Sequence, residues 1–324
     1  MEHGLAERYA RFARFEAAGQ SPLYEALAWH VSQSQAALDF LSRLPPDRQQ
    51  PNLLFAAIRH ATGGTVAPSD MTATLNARSD AIAAVMMART TQTNEPGRCA
   101  VLMPVLSRIP GPIALIEVGA SAGLCLLPDA YGYAWGQHFL PPPSLPGAAA
   151  PTFTCDASDK TPLPFRHPEI AWRAGLDLNP LDLRHAADVA WLESLVWPEH
   201  EARLARLRAA SAVAREAPPR VEAGDLMQDL PALIAEAPRE ATIVVFHTAV
   251  LAYVRDQADR DRFADLVQGT GAVWISNEGP RVFPQFAAGL HGRRENMFLL
   301  AANGAPLAWT GPHGQAIDWI GPNV

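Results

Sequence analysis

The sequence predicts a doubly wound, mostly parallel α/β sheet with an antiparallel C-terminal hairpin and an all-helical N-terminal extension. Three observations predict it. Residues up to about 110 space their apolar side chains as helices do and contain no strand pattern. From Ile113 onward, short continuous apolar runs alternate with helical stretches, as in a parallel sheet buried on both faces. Near the C-terminus two apolar runs flank Asn303-Gly304, a dipeptide that supplies the positive φ of a tight hairpin.

Taken in order, Ser21-Pro22 reads as a helix start and Pro45-Pro46 as its stop, with Tyr24, Leu27, Val31, Leu38 and Leu41 on one face. "PNLLFAAIRHA" and the set Leu75, Ile82, Val85 and Met86 predict two more helices, separated at Gly63-Gly64. The runs "IALIEV", "TIVVFH" and "AVWISN" predict strands. "DRFADLV" and "WLESLVWPEHEARLARLRAASAVARE" predict helices between them. The Pro- and Gly-rich stretch at about 128–168 is expected to run over the surface as an insertion. The expected division is a helical region at 1–110 and a sheet domain at 111–324.

Composition excludes several classes. A formal charge of −7 argues against nucleic-acid binding, since the arginines of "EARLARLRAASAVAR" read as one solvated helix face. No apolar run approaches the ~20 residues of a membrane span, and the N-terminus does not read as a signal peptide. Cys99, Cys125 and Cys155 lack C-x-x-C spacing, so neither a metal site nor a disulfide framework is expected. A cytoplasmic setting is the default expectation. The sequence is silent on oligomeric state.

The stretch "IALIEVGASAGLCLL" admits two chemistries. As G-x-S-x-G it is an elbow presenting Ser121 as a hydrolase nucleophile, with His247, His291 or His313 as base. That reading lacks the earlier strands that would carry an oxyanion loop. As a loosened G-x-G-x-x-G it is a turn against a cofactor, with Gly119 and Gly123 permitting close backbone approach and the next helix N-terminus meeting an anionic group. Glu117 separates the cofactors. A carboxylate beside a pyrophosphate is unfavourable, which argues against a nicotinamide oxidoreductase. Beside the ammonium and sulfonium of S-adenosylmethionine it is favourable. The Ser121 hydroxyl is then expected to donate to the methionine carboxylate.

"LIEVGASAGL", "AGLDLNP", "EAGDLMQDLP" and "VVFHTAVLAYV" follow one another as the motifs of class I S-adenosylmethionine-dependent methyltransferases do, and from about Ile113 the chain resembles that Rossmann-like family. Over nearly its full length, including "TQTNEPGR", it resembles the uncharacterised bacterial family called domain of unknown function 2332. The methyltransferase resemblance implies that Glu117, Gly119, Ser121 and Gly123 form the first cofactor motif. It implies that Asp177 takes the ribose hydroxyls and that Asp225, with Leu226, meets the adenine. Two departures stand out: Ser121 replaces a glycine, and Asp177 lies 60 residues beyond Glu117, where such folds leave about 20. Asp156 is therefore a rival for the ribose.

The expected acceptor is a small molecule. His247, ending "TIVVFH", is placed as general base, with Tyr253 lining the same cleft. Asn277 and Glu278 are placed to orient the acceptor. Gln92, Asn94, Glu95 and Arg98 are expected to form a lid, Arg98 holding a carboxylate. Trp135, Trp172, Trp191 and Trp197 read as packing. The alternatives are a catalytically silent cofactor-binding or regulatory protein of the same fold, and the hydrolase.

Overall fold

The computed structural model describes residues 2–143, 149–290 and 296–322. The chain forms two compact units, one of Met1–Thr93 with His185–Ala205, the other of Asn94–Arg184 with Arg206–Val324.

The first unit is helical: α1 (Glu2–Phe12), α2 (Pro22–Gln33), α3 (Gln35–Ser42), α4 (Pro51–Thr62) and α5 (Met71–Ala88), with α7 (Ala186–Leu195) returning later in the chain. Ser21 caps α2, accepting the Tyr24 N–H at 3.1 Å, and donates its own proton to Glu199 at 2.6 Å. The single helix expected between Ser21 and Pro45 is two. Ser34 adopts an extended conformation and its hydroxyl caps α3, so local capping ends one helix and starts another. The five apolar positions named above are all buried nonetheless. α4 ends on Gly63 in the left-handed region, as expected. Phe55 is the hub of this core, its ring 4.9 Å from Tyr24 and 6.1 Å from both Tyr9 and Phe12.

The second unit opens with α6 (Cys99–Leu106) and holds a nine-stranded sheet. Its strands are β1 (Ile113–Val118), β5 (Asp156–Ala157), β6 (Ile170–Asp177), β7 (Arg220–Ala223), β8 (Thr242–Thr248), β9 (Val273–Glu278), β10 (Phe298–Ala302), β11 (Ala305–Thr310) and β12 (Ala316–Trp319). Across the sheet they run β5-β12-β11-β10-β9-β8-β1-β6-β7. The block β7-β6-β1-β8-β9 is parallel, β10 is antiparallel to β9, and Asn303-Gly304 turns β10 into β11 with φ of 49° and 81°. Chain order reverses between β1 and β8. In open α/β sheets that reversal leaves a crevice at the C-terminal ends of the strands. The architecture is a Rossmann-like α/β sheet.

One sheet face, with Ile116, Val118, Val245 and Trp274, packs in a common core with Leu230 and Leu233 of α9 (Leu230–Ala235) and with Phe263, Ala264 and Val267 of α10 (Gln257–Gly269). Alternation sends Leu115 and Glu117 to the other face, and every residue of β1 is buried. Among the described residues no helix is long and apolar enough to cross a membrane.

The insertion is not the surface excursion its prolines predict. Its described part forms a three-stranded sheet, β3-β2-β4, from β2 (Gly132–Trp135), β3 (His138–Leu140) and β4 (Thr152–Thr154). Tyr131, Tyr133, Trp135 and Phe153 are buried within it, Tyr133 and Trp135 stacked at 5.3 Å. Aromatic burial between the prolines supplies a small core of its own. β5 then pairs in parallel with β12 at the far edge of the main sheet.

Candidate functional site

β1 ends at the reversal point, and Glu117 is its penultimate residue. The side chain is 2% exposed and its Oε2 is buried without a hydrogen-bond partner among the described residues. Burial pushes this carboxyl well above its ordinary value of 4.5; Cys125 adds to the rise, Arg98 opposes it, and Asp177 adds to it again. Glu117 therefore holds its proton at a pH where a solvated carboxylate has lost it.

The loop that follows is built on three positive-φ residues: Gly119 at 73°, Ser121 at 53° and Gly123 at 74°. A Cβ on Gly119 would lie 2.2 Å from Val250 Cγ2, and one on Gly123 would lie 2.7 Å from Pro219 Cγ. Gly119→Ala combines strain with overlap and is expected to cost roughly 2–4 kcal/mol, read as a lower urea midpoint. The double variant Gly119→Ala, Val250→Ala should recover only the overlap part. A single variant as stable as the parent would show that the loop has room to spare.

The helix expected after this loop is not there. Leu124–Leu126 is one 3-10 turn. An α-helix needs the Leu124 carbonyl to accept from residue 128, and Pro128 has no N–H to give. The Tyr131 hydroxyl takes that carbonyl at 2.9 Å, and Asn94 Oδ1 takes the Leu124 N–H at 2.9 Å. No helix N-terminus follows the loop, which removes both the anion site expected there and the helical half of a hydrolase elbow.

Asp177 ends β6 with its carboxylate across the loop: Oδ2 accepts the Ser121 N–H and Oδ1 the Asn179 N–H, each at 2.8 Å. It is half-buried. The rival, Asp156, is exposed in β5 at the opposite edge of the sheet, so strand order removes it. Asp225 sits after β7 and accepts the N–H groups of Met227 and Gln228 at 2.8 and 3.1 Å; half-buried Leu226 packs on the sheet core.

His247 is fully buried. Trp274 Nε1, which only donates, gives its proton to His247 Nε2 at 3.0 Å, so the imidazole proton sits on Nδ1 and goes to Glu278 Oε1 at 2.8 Å. Both nitrogens are engaged, which corrects the expectation of a general base: this histidine joins β8 to β9. Tyr253 is 64% exposed, in contrast to the fully buried His247. Glu278 Oε1 also accepts the Val250 and Leu251 N–H groups at 2.9 and 3.1 Å, while Oε2 is buried without a partner among the described residues. Glu278 thus orders the turn after β8 rather than facing an acceptor.

Strand register separates these groups. Glu117 pairs with Phe246, and Thr248 with Asn277, so Glu117, Thr248 and Asn277 share one face while His247 and Glu278 lie on the other. Asn277 is fully buried; its Oδ1 accepts the Thr310 hydroxyl at 2.6 Å and its Nδ2 has no partner among the described residues.

Arg98, 6% exposed, donates from Nε to the Pro312 carbonyl at 2.8 Å and from Nη1 to the Thr248 carbonyl and hydroxyl at 3.1 and 3.3 Å. Asn94 and Glu95 are buried beside it in sequence. Glu95 Oε1 accepts the Gly97 N–H, and its carbonyl lies 3.3 Å from Cys125 Sγ. A Cβ on Gly314 would come within 2.0 Å of the Gly97 carbonyl oxygen, so the two loops are pressed together. Three of the expected lid residues are thus fixtures of the second unit. Gln92 falls in the first unit, where its N–H bonds the Thr90 carbonyl. Sequence reasoning missed Thr248, Val250 and Thr310, whose positions depend on strand pairing and carry no local motif. His291 lies outside the described residues, and His313 Nδ1 is 4.0 Å from Glu95 Oε2.

A Rossmann-like sheet with buried carboxyls at its reversal point defines a class, the architecture compatible with nucleotide- or cofactor-binding enzymes. Within it, a family model described as uncharacterized protein conserved in bacteria (DUF2332) matches residues 6–319, and the chain belongs to that family. No curated protein and no solved structure matches the chain.

Proposed function

We propose that this chain is an S-adenosylmethionine-dependent methyltransferase-like enzyme acting on a small molecule in the cytoplasm, with residues 111–324 as its cofactor domain. One observation carries the reading: Glu117 is buried at the reversal point with an oxygen that nothing among the described residues satisfies. An orphaned buried oxygen is costly, and a cationic ligand repays the cost. The ordered motifs from Ile113 onward support it independently.

In this reading Glu117 meets the positive charge of the cofactor, and Gly119 and Gly123 let the backbone approach it. Asp177 takes the ribose hydroxyls, while Asp225 and Leu226 flank the adenine. The cofactor supplies an electrophilic methyl group. The protein supplies position and charge.

Calorimetric titration with S-adenosylmethionine tests this. Meeting a cation requires the ionised carboxylate, so binding should release up to one proton, seen as heats that differ between buffers of unlike ionisation enthalpy. Affinity should climb with pH until Glu117, with Cys125, Arg98 and Asp177 around it, is ionised in the free protein, and then level off. Folded protein that gives no heat with the cofactor or its demethylated product would overturn the reading. A catalytically silent binder of the same fold is favoured by the sealed state of His247. Turnover of labelled cofactor against a metabolite pool separates the two.

A further inference from the structure

We propose that the acceptor is a carboxylic acid whose carboxylate is held between Arg98 and Asn277, and that the product is its methyl ester; this rests on the cofactor reading above. The juxtaposition is on one sheet face. Arg98 reaches Thr248, and Thr248 is the register partner of Asn277. The three hydrogen bonds of the buried Arg98 guanidinium all go to uncharged oxygens, and Glu117, a carboxyl that feels its charge, is held toward the neutral form by burial. Asn277, the register partner of Thr248, holds a fully buried amide nitrogen that meets no acceptor among the described residues. One positive charge and one orphaned N–H on the same face call for an anion with two acceptor oxygens. Carboxylate is the anion of that shape that is also a methyl acceptor.

The chemistry suits the surrounding groups. An alcohol or amine must lose a proton as it is methylated, and His247, with both nitrogens engaged, is not available to take it. A carboxylate needs no base. One of its oxygens forms a bond to the methyl carbon while the carbon–sulfur bond breaks, and that electron pair stays on sulfur as the neutral thioether. No proton is gained or lost.

The test uses the full-length protein saturated with S-adenosylhomocysteine and four probe acids, acetate, benzoate, phenylacetate and succinate, each compared with its amide. At least one acid should bind about tenfold or more tightly than its amide, the worth of a charge-assisted hydrogen bond. Asn277→Asp keeps the acceptor for Thr310 but adds a like charge; it should abolish that preference and leave S-adenosylhomocysteine affinity intact. Arg98→Lys, which keeps charge without the fork, should weaken it partway. With labelled cofactor, the product should release its methyl as methanol in alkali. Acid and amide binding equally, no acid binding, or an Asn277→Asp protein that still prefers the acid would each overturn the inference. Should S-adenosylhomocysteine itself fail to bind, the cofactor reading falls, and the acid–amide comparison on the unloaded protein still decides whether Arg98 and Asn277 form an anion site.

Discussion

Replacing Glu117 with Gln is expected to stabilise the protein above the acid range and to weaken cofactor binding in the same stroke. The folded-state pKa of Glu117 lies above its unfolded value of 4.5, chiefly through burial. Between those two values the folded state holds a proton that the unfolded state has released, so wild-type stability falls as pH rises. Below the unfolded value the stabilisation is fully present; it is lost upward through the folded pKa. Gln cannot ionise and removes this slope. Urea midpoints should nearly coincide at about pH 4 and separate with rising pH, the Gln variant gaining on the order of 1–3 kcal/mol once the wild-type carboxyl is ionised. Parallel pH profiles would mean that Glu117 already carries a charge compensated within the protein. Affinity for S-adenosylmethionine should fall at least about tenfold, since one charge-assisted contact is lost.

The second large effect is destabilising. Glu278 Oε1 receives protons from His247 Nδ1 and from the backbone of Val250 and Leu251. Glu278→Ala strands all three donors around a cavity and should cost about 3–4 kcal/mol in denaturant unfolding. Glu278→Gln keeps an acceptor at Oε1 and should recover much of the loss. The near-ultraviolet circular dichroism of the Ala variant should also change, because Trp274 is bonded to His247 in the same chain of contacts. An Ala variant within about 1 kcal/mol of wild type would mean that water replaces the carboxylate at little cost.

Much of this architecture is legible in local sequence wherever local chemistry decides. "IALIEV" is the strand Ile113–Val118, and the turn at Asn303-Gly304 joins β10 to β11. Ser21 caps its helix through its own hydroxyl. Where the outcome depends on a distant partner, the reading fails. His247 has a free lone pair only if β9 does not set Trp274 and Glu278 against it, and register between strands is invisible in one sequence. Asp156 rivals Asp177 until strand order puts them at opposite sides of the sheet. One miss was local: Pro128 sits four residues after Leu124 and forbids the helix that the glycine motif implies. The aromatic residues hidden among the insertion's prolines misled in the same way, since proline content signals irregular backbone but not exposure.

That insertion has a consequence at the other end of the sheet. Its last strand, β5, is two residues long and lies against β12, closing a side of the sheet that would otherwise display a row of unmatched amides and carbonyls. Such a margin is a template on which other molecules add strands, and very short terminal strands are a common protection against aggregation. Any shortening of the loop between β4 and β6 that removes β5 would bare β12 and trade solubility for compactness.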